Sequence, residues 1–138
     1  MSTVVAQPKR GKQARTAETL LRFTDDHLWL RIEDGRAQLG LSDYGQNKLG
    51  EIIAVELPEV GESVERGDTF GELESVRTVQ ELTAPVSGTV TAVNADIEEH
   101  PELVNEDPYH EGWLIEIKLE SESELEDLLP PDEYEDLI

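Results

Sequence analysis

Thr69-Phe70-Gly71-Glu72-Leu73-Glu74-Ser75-Val76-Arg77-Thr78-Val79-Gln80-Glu81-Leu82-Thr83-Ala84 decides the fold. Residues 69–76 and 78–84 read as two strands set between turn signals, Gly67-Asp68 before them and Pro85 after them. Only residues 75–78 are left to reverse the chain. Arg77 is therefore predicted at the exposed tip of a hairpin, where loop residues tend to carry function.

Towards the N-terminus, residues 28–32 and 36–41 read as two more strands. Glu33-Asp34-Gly35 joins them, and Asp-Gly is a strong hairpin signal because both residues tolerate positive φ. Ser42 is placed as the N-cap of a short helix over residues 43–49, with Asp43 in its first turn and Gly50 as its stop. Residues 51–57 follow as a strand with Ile53, Val55 and Leu57 on one face. Pro58 ends it, since proline lacks the ladder N–H. Gly61 and Gly67-Asp68 then flank Ser63-Val64-Glu65.

Towards the C-terminus, Gly88 opens a strand over residues 89–93 that ends at Asn94. Residues 95–99 suffice for one helical turn before Pro101. Residues 112–119 form the last strand, with Trp113, Ile115 and Ile117 on one face. From Glu120 onward no residue is basic. Ser121 or Ser123 is placed as the cap of a helix over 124–129, broken by Pro130-Pro131, with a second short turn over 132–137. The leucine spacing there predicts a helix packed on the sheet, with a solvated acidic tail as the alternative. Many short strands at this spacing indicate a mainly β fold, a small sandwich or barrel.

The chain has 138 residues, enough for one domain. Residues 1–19 are expected to be a disordered basic tail, and 20–138 the folded unit. The formal net charge is -21, from 32 acidic and 11 basic residues. Five of the basic residues (Lys9, Arg10, Lys12, Arg15 and Arg22) fall within the first 22 positions, against Glu18 alone. The rest is negative enough to repel nucleic acid and anionic membrane, so neither is expected as a partner. That surface suits either a high-salt cytoplasm or a basic partner. No apolar run approaches the roughly 18–20 residues that span a bilayer, and no secretory leader is evident. A cytoplasmic location is the default expectation.

There is no cysteine, which excludes disulfides, thiolate metal sites and cysteine nucleophiles. His27, His100 and His110 are far apart and fall in no zinc-binding pattern. There is no calcium loop, phosphate loop or nucleophile elbow. With this many carboxylates, neighbouring pairs arise by chance and do not define a hydrolase. Nothing in the spacing argues for an enzyme.

Several ordered segments resemble the lipoyl-carrying H proteins of the glycine cleavage system. Phe23-Thr24-Asp25-Asp26-His27-Leu28-Trp29 resembles that family's H-E-W entry, with Leu28 in place of Glu. Leu39-Gly40-Leu41-Ser42-Asp43-Tyr44-Gly45-Gln46 and Val55-Glu56-Leu57-Pro58-Glu59-Val60-Gly61 resemble two further segments. Glu74-Ser75-Val76, Ala84-Pro85-Val86-Ser87-Gly88, the run from Pro101 to Tyr109, and Gly112-Trp113-Leu114 complete the match over residues 23–129. The resemblance implies a lipoyl/biotinyl-type flattened sandwich of two antiparallel sheets with short flanking helices. It also implies a non-catalytic carrier that moves lipoate on a swinging arm. Val76 and Thr78 flank Arg77 where the biotinyl branch has methionines.

In that family the position of Arg77 is the lysine that carries lipoate. The resemblance gives Glu74 and Gly88 to recognition by the lipoylating enzyme, with Gly88 passing tightly below the loop, and Ser75 and Val76 to the loop itself. It implies a lipoate-protein ligase or lipoyl transferase as one partner, with glycine decarboxylase, aminomethyltransferase and dihydrolipoyl dehydrogenase as others. H-like lipoate-binding proteins of sulfur oxidation, which serve a heterodisulfide-reductase-like complex, are a second branch that the motifs fit. A guanidinium is always protonated and delocalised, so Arg77 is not expected to carry lipoate. An unmodified paralogue that acts as a binding or regulatory module is the third reading.

Overall fold

The computed structural model describes residues 20–138. The expected basic tail at 1–19 lies outside the described residues. In chain order the elements are β1 (Leu20–Phe23), β2 (Leu28–Glu33), β3 (Arg36–Leu41), α1 (Asp43–Leu49), β4 (Ile52–Glu56), β5 (Ser63–Val64), β6 (Thr69–Ser75), β7 (Val79–Thr83), β8 (Gly88–Val93), α2 (Asp96–Glu99), α3 (Leu103–Glu106) and β9 (Ile115–Leu119). A 3-10 helix (Glu122–Asp127) and α4 (Pro131–Leu137) complete the chain. The strands form two antiparallel sheets, one ordered β1-β2-β3-β9-β8-β5 and one ordered β4-β6-β7. The mainly β sandwich with short flanking helices is as expected.

Local chemistry explains the first half. Asp34 and Gly35 have φ of 52° and 76°, both left-handed, as a two-residue hairpin turn requires. They place Glu33 opposite Arg36 and so set the register of β2 on β3. The Ser42 hydroxyl accepts from the Gly45 N–H at 3.0 Å and caps α1. At the other end the Gly50 N–H returns to the Gln46 carbonyl.

Alternation along β2 then separates two apolar layers. Leu28, Leu30 and Ile32 join Leu39, Ile52, Leu73, Leu82, Val90, Ile115 and Ile117 in the main core. Trp29, pointing the other way, joins Phe23 and Tyr134 in a smaller cluster. Its indole N–H donates to the Pro108 carbonyl at 2.9 Å, so the buried ring leaves no donor unpaired.

That smaller cluster anchors the acidic C-terminal segment. Tyr134 of α4 stacks on Phe23 with ring centroids 4.3 Å apart. Its hydroxyl lies 2.7 Å from the Ser42 hydroxyl and 2.8 Å from His27 Nδ1. Every bond in this chain is satisfied when Ser42 donates to Tyr134 and Tyr134 donates to a neutral His27. Leu129 and Phe23 exchange two backbone hydrogen bonds of 2.8 Å. The Glu124 carboxylate accepts from the Ser87 N–H at 2.7 Å and the Ser87 hydroxyl at 3.0 Å.

Three sequence expectations need correction. In β4 the buried residue is Ile52, and Ile53 is exposed, because a bulge between Ile52 and Ala54 shifts the register against β6. Trp113 precedes β9 and packs with the Phe23 cluster, while its neighbour Leu114 enters the main core. The helix expected at 124–129 is a 3-10 helix over Glu122–Asp127, capped by Ser121. Leu128 leaves it in extended backbone, and α4 starts at Pro131. Leu125 and Leu128 nevertheless pack on the core, so the segment is docked and not a solvated tail.

Burial, with the Lys48 ammonium second, lowers the pKa of His27 below 6.5, against weaker opposition from Asp26 and Asp25. The unfolded chain therefore takes up this proton first. The His27 contribution is complete above about pH 6.5 and is lost as pH falls towards the lowered folded value. His27→Asn tolerates the left-handed backbone found at this position (φ 71°) and removes the titration. Thermal melts at pH 8 and pH 5.5 should show a smaller pH-dependent fall in the variant than in the parent chain.

Candidate functional site

The hairpin of β6 and β7 carries the site. Glu72, Leu73 and Glu74 pair with Glu81, Gln80 and Val79, which leaves a reversal from Ser75 to Thr78. Leu73 and Ser75 face inward and are buried, so the Glu74 side chain lies on the outer face. Ser75 is 5% exposed and organises the turn. Its N–H donates to the Thr78 carbonyl at 2.8 Å. Its hydroxyl oxygen accepts from the N–H groups of Arg77 and Thr78, each at 3.1 Å, and donates to the Thr78 carbonyl at 3.2 Å. A short polar side chain is needed here because it must serve three backbone groups inside four residues.

Two further bonds fix the turn to the body. The Val76 N–H donates to the Glu51 carbonyl at 3.0 Å. Arg77 Nη1 donates to the Lys48 carbonyl at 2.8 Å. Lys48 lies in the last turn of α1, where a cation is favoured by the helix dipole. Beside Arg77 a cleft of ≈ 470 Å³ is lined by Gln46, Gly50, Glu51, Glu102, Asn105 and Glu106, among others. Val76 and Val79 are 60% and 54% exposed and give the end of the hairpin apolar surface; Val76 and the guanidinium both lie over Gly50.

Glu74, Ser75, Val76 and Arg77 are therefore brought together at one tip. Gly88 is not. The chain runs away from the tip along β7, and Gly88 begins β8 in the other sheet, paired with Val64 and Leu119. The tight passage expected at Gly88 is real but is made against β9: an added Cβ would overlap the Lys118 carbonyl and the Ile117 side chain. Next to it, Ser87 holds Glu124 and accepts from the Glu120 N–H at 3.0 Å. Gly88 thus lies at the end of the sandwich where the C-terminal segment docks.

Reading the residues alone missed Asn105 and the Glu51 and Lys48 carbonyls. A backbone carbonyl has no signature in sequence. Asn105 lies in the run from Pro101 to Tyr109 that carries the resemblance, but nothing in its type or spacing assigns it a role behind the tip. Among the described residues no group of three or more His, Asp or Glu side chains is placed to hold a metal ion. No described helix is long and apolar enough to cross a membrane.

The family model described as "Glycine cleavage H-protein" matches residues 21–138. The chain belongs to the glycine cleavage H-protein family. It is 50% identical over 114 residues to the glycine cleavage system H protein of Salinibacter ruber, covering 83% of this chain and 92% of that protein. It is 46% identical over 118 residues to that of Staphylococcus haemolyticus, covering 86% and 94%. Among solved structures it resembles the H protein of Mycobacterium marinum, with a TM-score of 0.78 and 34% identity over 85% of this chain and 94% of that one. The scaffold is that of a family of lipoyl carriers.

Two substitutions separate the roles of these residues. Ser75→Ala should cost about 0.5–1.5 kcal/mol and speed hydrogen exchange at the Arg77 and Thr78 amides. Gly88→Ala should cost about 1–3 kcal/mol by overpacking and leave exchange at the tip unchanged. Chemical denaturation and amide exchange by NMR read both.

Proposed function

We propose that this chain is a non-catalytic scaffold of the glycine cleavage lipoyl carrier in which Arg77 occupies the attachment position and stays unlipoylated. The observation that carries this reading is the place of Arg77 at the tip of the β6–β7 hairpin, two residues after the Ser75 that organises the turn. Lipoylation needs a neutral amine to attack an activated acyl group. A guanidinium keeps the charge of lysine but not its nucleophilic nitrogen. The residue present therefore does not fit covalent lipoate.

Neither lysine among the described residues that lie outside the tip substitutes for it. The Lys48 ammonium lies 5.7 Å from the centre of the Tyr44 ring on α1. Lys118 is in β9, in the other sheet. Glu74, on the outer face three residues before Arg77, is suited to recognition by a lipoate-protein ligase or lipoyl transferase. Glycine decarboxylase, aminomethyltransferase and dihydrolipoyl dehydrogenase are the partners this reading implies, in the cytoplasm. The names of the relatives favour the glycine cleavage branch over the sulfur-oxidation branch.

A second reading rests on the exposed Val76 and Val79 at the end of a hairpin whose guanidinium is already fixed to Lys48. This surface is complete without cargo and suits a binding module that meets a partner in unmodified form.

Co-expression with a lipoate ligase should leave the intact mass of this chain unchanged, whereas Arg77→Lys should gain one lipoyl group. A variant that stays unmodified would sink the carrier reading. Glycine cleavage activity reconstituted with lipoylated Arg77→Lys would place it in that pathway. A modified but inactive variant would favour the sulfur branch.

A further inference from the structure

One side-chain amide lies where α1, α3 and β4 converge behind the tip. Asn105, on α3, donates from Nδ2 to the Gly50 carbonyl and to Gln46 Oε1, both at 2.9 Å. Its Oδ1 accepts from the Ile52 N–H at 2.8 Å. The orientation of this amide is forced, because a carbonyl only accepts and a backbone N–H only donates. Gln46 is fixed in turn: its Oε1 takes the Asn105 proton, and its Nε2 donates to Asp43 Oδ1 at 3.0 Å.

The two backbone groups held by Asn105 belong to residues 50 and 52, one on each side of Glu51. The Glu51 carbonyl is the acceptor for the Val76 N–H. Asn105 therefore clamps the peptide units from which the turn hangs, without touching the turn itself. α3 is a firm base for this clamp: Val104 is fully buried, and Gly112 packs so close that a Cβ there would meet the Leu103 carbonyl at 2.6 Å.

We propose that Asn105 is a positioning residue that fixes the Ser75–Thr78 turn, and with it Arg77, through the backbone on either side of Glu51. The placement of the turn stands on geometry alone. Only its meaning for cargo attachment rests on the function proposed above. Asn105→Asp is the sharp variant. It keeps the shape and the acceptor for Ile52, but sets an oxygen against the Gly50 carbonyl and removes the donor that Gln46 uses.

The test is residue-resolved amide exchange on the full chain. Asn105→Asp and Asn105→Ala should each speed exchange of the Val76 amide at least tenfold. The Leu39 and Ile117 amides, in the main core, should change less than twofold. Unchanged Val76 exchange, or equal acceleration at all three amides, would overturn the proposal. If Asn105→Ala fails to fold, Asn105→Asp still decides the matter, and Asn105→Gln gives a graded control whose longer reach should restore part of the protection. A second arm uses Arg77→Lys as substrate for a lipoate ligase. Adding Asn105→Asp should lower kcat/KM for the protein substrate about tenfold, since small misplacements of a reacting group have large kinetic effects. Unchanged kcat/KM would overturn the positioning role. If Arg77→Lys takes no lipoate at all, the carrier reading fails while the exchange arm still judges Asn105.

Discussion

The structure depends on a single apolar layer shared by two sheets of unequal width. The narrow sheet has three strands, and it contributes Ile52, Leu73 and Leu82 to the same core that the wide sheet fills with Leu30, Leu39, Ile115 and Ile117. Burial is what keeps the β6–β7 hairpin in register, because a shift of one residue would turn Leu73 and Leu82 to solvent. The tip inherits its position from that register. Ser75 is the last inward-facing residue of β6 and is polar, so the core ends where the turn begins.

The protein spends little of its charge on holding itself together. Among the described residues the ion pair of Arg66 with Asp127 is exposed and that of Arg36 with a half-buried Glu116 is long at 3.8 Å, and surface pairs contribute at most about 1 kcal/mol each. Many of the fixing bonds are neutral: the Ser42–Tyr134–His27 chain behind α4, the Asn94 amide on the Glu111 and Trp113 carbonyls, and the Asn105 clamp; Glu124 on Ser87 and Arg77 on the Lys48 carbonyl are the charged exceptions. Most of the acidic side chains face solvent, where salt or partners can meet them. The rigid parts around Arg77 are therefore insensitive to ionic strength to the extent that they are built from amides and hydroxyls.

Features written in neighbouring residues were legible in the sequence. Asp34-Gly35 requires positive φ, and Ser42 and Gly50 bracket a helix by local bonding. The exposed position of Arg77 followed from counting residues between two strands. Features decided by distant partners were not legible. The bulge that buries Ile52 in place of Ile53 lies in the match of β4 to β6, a strand beyond the next turn and β5. Trp113 joins the outer cluster because Phe23 and Trp29 are there to receive it. Gly88 reads in the sequence as opening a strand, and only the resemblance places it below the loop; its close neighbours are Lys118 and Ile117. Asn105 works across gaps of more than fifty positions and had no local signature.

The two backbone bonds between Phe23 and Leu129 have a consequence for how the molecule behaves in a crowd. β1 is the outermost strand of the wide sheet, and an open outermost strand is a template on which a foreign strand can add. Here the chain's own ending occupies that template at Phe23 and brings Glu133 and Glu135 to the same margin. A second molecule meets that edge occupied at Phe23 and flanked by negative charge, which disfavours strand addition there. The C-terminal segment in this sense blunts one margin of the wide sheet, using the stretch whose leucine spacing already marked it for packing.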